Sequence, residues 1–244
     1  MATGSVRPQS AEMTPGPGFR YRRNHRAPAA DLVRRFGAFA SADVSDMMNR
    51  LYTMNTDIKP VTPRELRLLG PACTVKAFPG DNLMVHKALD LANPGDIMVI
   101  DASSSMMTAV VGDLVSTKAR HRGIAGILVD GLVRDLDGIL ALGDLPVFAR
   151  GVTPLGPLHR GPGEVNYPVS VGGIVVNPGD VIVGDADGVV VVPQDSAESV
   201  LDQLDARAAA MAEYQSAVAR GDFSNAWVDT MLGSNGVEAE PDLD

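Results

Sequence analysis

The chain has 244 residues, of which 45% are apolar and 21% charged, and its net charge is −9. That composition supports a buried core and excludes bulk disorder, and the length fits one α/β domain with decorated ends. The negative balance, with no basic cluster in the body of the chain, excludes nucleic acid as the main partner, because neutralising phosphates needs Lys and Arg gathered on one face.

Residues 1–28 read as a flexible tail rich in Pro, Gly and Ser, carrying Arg7, Arg20, Arg22, Arg23 and Arg26 against Glu12 alone. The start lacks the apolar stretch of a secretory signal, and no membrane-length apolar run follows, so the expected location is cytoplasmic. Ala30–Phe39 and Val44–Leu51 predict helices, the second capped by Ser41 or Asp43. Pro71–Ala77 predicts a strand around Cys73, the single cysteine, which permits no intrachain disulfide and reads as a buried, inert thiol. Then come a helix over Asn82–Leu91, a strand over Asp96–Asp101, a helix over Asp113–Arg122 and a strand over Ile124–Asp130. Arg134–Leu142 predicts a helix and Pro146–Arg150 a strand. From Glu164 to Val192 short Val- and Ile-rich strands are punctuated by Gly and Pro, and Ala197–Ala217 closes the domain with a long helix. The folded domain is thus expected over 29–220, with 221–244 an extension ending in an acidic tail.

One segment echoes another. Asn93-Pro94-Gly95-Asp96-Ile97-Met98-Val99-Ile100-Asp101 resembles Asn177-Pro178-Gly179-Asp180-Val181-Ile182-Val183-Gly184-Asp185. Pro and Gly set a type II turn, and an apolar strand then runs to an acid at its end. This is a repeated way of building a turn and strand, and does not require a duplicated domain.

Two openings carry candidate chemistry. Gly112-Asp113-Leu114-Val115 starts a helix whose first amides have no intrahelical partner and point at any anion placed there. Taken alone, Asp113 reads as a helix cap. Asp130-Gly131-Leu132-Val133-Arg134-Asp135 follows an apolar strand, where α/β proteins place ligands. Arg134 is a poor local choice at a helix start, where it meets the positive end of the dipole, although an ion pair with Asp130 or Asp137 would account for it. Asp113 and the Arg134-Asp135 pair are separated by 20 residues, enough for a helix and a strand to return the chain to the same sheet edge. Arg offers bidentate donors to a carboxylate or enolate, and Asp135 can hold a hard cation such as Mg2+ or Mn2+ largely through water.

The D-x20-R-D pattern, with the Gly123–Asp130 strand, Gly163-Glu164-Val165-Asn166-Tyr167-Pro168-Val169 and Asp185-Ala186-Asp187-Gly188 in order behind it, resembles the RraA-like family of class II pyruvate aldolases. The resemblance covers roughly Ala38 to Gln215. It implies a single-domain β/β/α sandwich like that of swivelling domains, assembled as a homotrimer or homohexamer. By position, Gly112, Asp113, Leu114, Val115 and Arg134 would bind a small 2-oxo acid, with Asp113 and Arg134 catalytic and Asp135 the metal ligand. The implied activity is metal-dependent retro-aldol cleavage of a 4-hydroxy-2-oxo acid to pyruvate, or decarboxylation of oxaloacetate. The alternative is a non-catalytic regulatory member that acts by protein contact. One departure is Gly138, where many such aldolases carry an acid. His25, His86, His121 and His159 show no zinc-binding spacing, and Ser103-Ser104-Ser105 lacks a nucleophile elbow.

Overall fold

The computed structural model describes residues 12–238 and 240. In chain order the strands are β1 (Phe19–Tyr21), β2 (Lys59–Pro60), β3 (Leu68–Ala77), β4 (Ile97–Asp101), β5 (Ala109–Val111), β6 (Gly126–Asp130), β7 (Leu132–Val133), β8 (Val147–Ala149), β9 (Gly151–Val152), β10 (Gly163–Val165), β11 (Val169–Val171), β12 (Ile174–Val176), β13 (Val181–Gly184) and β14 (Val189–Val192). The helices are α1 (Ala30–Arg35), α2 (Ser41–Met47), α3 (Leu83–Leu91), α4 (Asp113–His121), α5 (Leu136–Leu140), α6 (Ala197–Ala219) and α7 (Ala226–Ser234).

β4 and β6 are apolar runs without alternation, Ile97-Met98-Val99-Ile100 and Ile127-Leu128-Val129, and all of these residues are buried. Such strands belong in a sheet covered on both faces. Met98, Ile100, Ile127 and Val129 pack with Val85 and Ala88 of α3 and Val115 and Ala119 of α4. On the opposite face Ile97, Val99 and Leu128 pack with Val169, Val171 and Val176 of the β11–β12 hairpin. A third cluster joins Phe36, Val44, Leu201 and Leu204 to Val181, Val183, Val190 and Val192 of β13 and β14. The fold is therefore mixed α/β, with one large sheet between a helical layer and further β-structure. Truncating a fully buried residue at its centre, such as Leu128, to Ala costs about 2–5 kcal/mol.

The central strands run parallel in the order β3-β4-β6-β8, in a register that aligns Lys76 with Asp101 and Asp101 with Asp130. Their carboxyl ends thus form a row of charge. Asp101 accepts hydrogen bonds from Lys76 Nζ at 2.6 Å and the Ser103 amide at 2.8 Å. Asp130 accepts from Arg150 Nε at 2.5 Å, the Gly172 amide at 2.7 Å and Ser104 Oγ at 2.9 Å.

The echoed segments fold alike. Asp96 Oδ2 accepts the Asn93 amide at 2.7 Å, and Asp180 Oδ2 accepts the Asn177 amide at 2.8 Å. Gly95 and Gly179 share a φ of 90°, as the third position of a type II turn requires.

Several expectations are corrected. The amino-terminal segment is not a free tail throughout: β1 pairs in parallel with β10, and Arg20 and Arg22 lie 4.0 and 4.2 Å from the Tyr167 ring centroid. His25 is buried with Nε2 3.4 Å from Asp96 Oδ2. The part of that expectation that falls on residues 1–11 lies outside the described residues. Neither Ser41 nor Asp43 caps α2 with its side chain. Instead the Asp185 carboxylate accepts the Ser41 amide at 2.8 Å and the Ser41 hydroxyl at 2.7 Å, a cap supplied from 144 residues away. β3 starts at Leu68 because Leu68–Pro71 pair with β13, which local pattern does not reveal. The described residues divide into one compact unit that runs to Leu204 and a smaller one from Asp205 onward that holds the rest of α6 and α7. Among the described residues no helix is long and apolar enough to cross a membrane.

Candidate active site

A small sheet missing from the sequence reading builds the site. β5 pairs in parallel with β7, and β7 with β9. The Arg134 amide donates to the Val111 carbonyl at 2.9 Å, and the Ala109 amide to the Leu155 carbonyl at 2.9 Å. Three chain segments therefore run side by side and bring Gly112, the Arg134-Asp135 pair and Gly156 together.

Glycines mould the site. A Cβ built on Gly112 would stand 2.7 Å from Asp135 Oδ2 and 3.1 Å from Arg134 Cγ. On Gly156 it would overlap Arg134 Nη1 and lie 3.1 Å from Cζ, so only glycine leaves the guanidinium where it is. On Gly138 it would lie 2.6 Å from Asp113 Cβ. Gly138 thus lets α5 pass close against the Asp113 side chain. Gly156 escaped the sequence reading because Thr153-Pro154-Leu155-Gly156-Pro157 reads only as a loop; its one signal is a glycine between prolines.

Arg134 and Asp135 precede α5 and do not lie inside it, so the expected clash of Arg134 with the helix dipole does not arise. Arg134 Nε pairs with Asp135 Oδ2 at 3.1 Å, with side chains 40% and 45% exposed. Asp130 pairs with Arg150 instead, which removes that explanation for Arg134. Asp135 takes the left-handed conformation at φ 55°, and its side chain makes no capping bond to α5. Asp is among the few side chains that tolerate this region, and an exception of this kind points to a task beyond capping.

Asp113 is the first residue of α4, whose cap position is the extended Gly112. Its Oδ1 accepts the Leu114 amide at 2.7 Å. Of the two amides expected to face an anion, Leu114's is thus engaged, while that of Val115 has no hydrogen bond among the described residues. Leu114 projects outward at 69% exposure. Nearby, Met106, Met107 and Leu155 are also exposed, and the Met107 carbonyl lies 3.5 Å from Thr153 Oγ1.

No three His, Cys, Asp or Glu side chains converge as a cage among the described residues. Asp135 offers one half-exposed carboxylate, packed with Arg134 against the bare backbone of Gly112. That donor set fits a hard ion such as Mg2+ that keeps most of its water, and does not fit a structural zinc. Cys73 is buried as expected; burial first, and then the charge of Asp96, push its thiol well above the usual range. His86 is half-buried, with its ring 5.6 Å from that of His159. Burial, then Lys118 and His159, hold its pKa below the usual value.

A family model described as RraA-like, Aldolase/RraA, matches residues 41–191. The chain belongs to the RraA-like family. A relative from Halalkalibacterium halodurans, provisionally named a 4-hydroxy-4-methyl-2-oxoglutarate aldolase, is 42% identical over 171 residues, covering 70% of this chain and 80% of its own length. An Arabidopsis thaliana protein with the same provisional name, numbered 3, is 35% identical over 160 residues, covering 63% of this chain and 95% of its own. Among solved structures, a Streptomyces coelicolor protein described as an unusual member of the RNase ES inhibitor RraA family superposes with a TM-score of 0.70 at 28% identity. That match covers 78% of this RraA-like chain and 99% of the other.

Proposed function

We propose that this chain is a divalent-metal-dependent carbon–carbon lyase that releases pyruvate from a 4-hydroxy-2-oxo acid by retro-aldol cleavage, decarboxylates oxaloacetate, or does both. The observation that supports the reading is the packing of the Arg134-Asp135 pair against Gly112, the residue before Asp113, with Gly156 beside the guanidinium and Gly138 beside Asp113. The provisional aldolase names of the relatives support it. Asp135 would hold Mg2+ or Mn2+, and the ion when bound supplies Lewis-acid polarisation of the 2-oxo group.

The chain's own groups account for the remaining chemistry. Arg134, held by Gly156, donates to the keto oxygen as negative charge develops there. The Val115 amide, with that of Leu114 once Asp113 releases it, holds the substrate carboxylate at the amino end of α4. Asp113 orients a water that removes the proton of the substrate hydroxyl and later returns a proton to the pyruvate enolate. Loss of CO2 from oxaloacetate yields the same enolate, so one site serves both reactions. The exposed Met106, Met107, Leu114 and Leu155 support assembly as a homotrimer or homohexamer with a neighbouring subunit over the site.

The likeness to the Streptomyces protein favours a second reading, regulation by protein contact. Pyruvate release from 4-hydroxy-4-methyl-2-oxoglutarate and from oxaloacetate, each with Mg2+ and with EDTA, separates the two. Metal-dependent release lost in Asp135→Ala establishes the lyase. No release from a wider panel of 2-oxo acids moves the regulatory reading ahead.

A further inference from the structure

A cavity lies away from Asp113 and Arg134, where β1 stands over α3. We propose that it binds an amphipathic monocarboxylate, a small organic acid with an apolar aryl or alkyl body, whose carboxylate pairs with Lys87. The cavity has a volume of about 550 Å3 and is walled by Phe19, Tyr21, Leu83 and Met84. That is the size and apolar lining of small-molecule sites, in which one or two polar groups fix orientation.

Two cations reach this cavity, and only one is available. Arg20 is committed, with Nε 2.7 Å from Glu164 Oε1 and its guanidinium over the Tyr167 ring. Lys87 Nζ lies 4.8 Å from the Tyr21 ring centroid and has no carboxylate partner among the described residues. A ligand carboxylate would gain a charge-assisted hydrogen bond from Lys87, while the rings of Phe19 and Tyr21 take up the apolar body. One free cation, with the Glu164 carboxylate close by on Arg20, selects a single negative charge over a dicarboxylate or phosphate ester. The wall from Pro15 to Tyr21 lies outside the matched family region of 41–191, while Leu83, Met84 and Lys87 lie inside it.

The test is calorimetric titration of the full chain with 2-naphthylacetate and with its uncharged amide. The acid is expected to bind the parent and Asp135→Ala equally, which separates this cavity from the candidate active site. Lys87→Gln is expected to weaken binding of the acid about tenfold or more, the loss of one charge-assisted hydrogen bond. The amide should bind the parent weakly, and Lys87→Glu should bind 2-naphthylmethylamine in place of the acid. Absence of binding, an amide that binds as well as the acid, or a folded Lys87→Gln protein with parental affinity overturns the proposal.

Discussion

The carboxyl ends of the central strands and the small sheet beside them both gather Asp and Arg, and they do so in opposite ways. Asp130 is buried and bonded on both oxygens: Arg150, Ser104 and the Gly172 amide all donate to it. Asp101 is buried too and bonded to Lys76 and Ser103. Among the described residues, Asp135 is half-exposed and pairs with Arg134, and Asp113 accepts the amide of its neighbour Leu114 and no other hydrogen bond. A buried carboxylate with both oxygens hydrogen-bonded is scaffold, because any ligand would have to displace good partners. One that is half-exposed with a single partner among the described residues is available for chemistry.

The comparison can be broken at either end, and the largest effect falls on the scaffold. Asp130→Ala leaves Arg150, whose side chain is 9% exposed, with Asp57 as its one remaining carboxylate and leaves the Ser104 hydroxyl and Gly172 amide without their acceptor, and should cost about 3 kcal/mol in a denaturant titration. Arg134→Ala should instead leave stability near the parent's and lower kcat about 10^2- to 10^3-fold in the pyruvate assay. A large loss of stability on Arg134→Ala with little change in turnover would reverse the two assignments.

Gly156→Ala sharpens the contrast further. The added methyl pushes the Arg134 guanidinium aside without removing it, so kcat/KM should fall about tenfold, with the folded state intact. The smallest effect concerns Asp185, whose carboxylate caps α2. Burial raises its pKa, but the Ser41 amide and hydroxyl, the Asp187 amide and Arg67 together outweigh that and lower it. A lowered carboxylate pKa adds stability above the unfolded value, and that stability is lost as pH falls through the folded value. Asp185→Asn should therefore be less stable than the parent by about 1 kcal/mol at pH 7, and the gap should close in acid below about pH 4. A gap that persists unchanged at pH 3 would assign the cost to packing.

Much of this was legible in the sequence, for reasons that differ by region. The buried runs of β4 and β6 and the paired Asn-Pro-Gly-Asp turns are set by local composition, and they fold as read. The family is legible too, because D-x20-R-D sits in order among its flanking blocks. The short strands β5, β7 and β9 were not, since two or three residues carry no periodicity and their pairing is set by tertiary context. For the same reason Gly156 was missed and Arg134 was placed inside a helix that begins two residues later. The arm over 19–25 was read as a tail from its Arg, Gly and Pro content; its strand pairing and the Tyr167 contacts involve partners more than 140 residues away.

The most direct test of the central claim is deuterium exchange at the methyl group of pyruvate in D2O, followed by NMR with Mg2+ present. It reports enolate formation without the distal half of any substrate. The account predicts exchange that EDTA, Arg134→Ala and Asp135→Ala each abolish while Lys87→Gln leaves it unchanged. Exchange that survives in Arg134→Ala would contradict the assignment of Arg134 to the enolate oxygen.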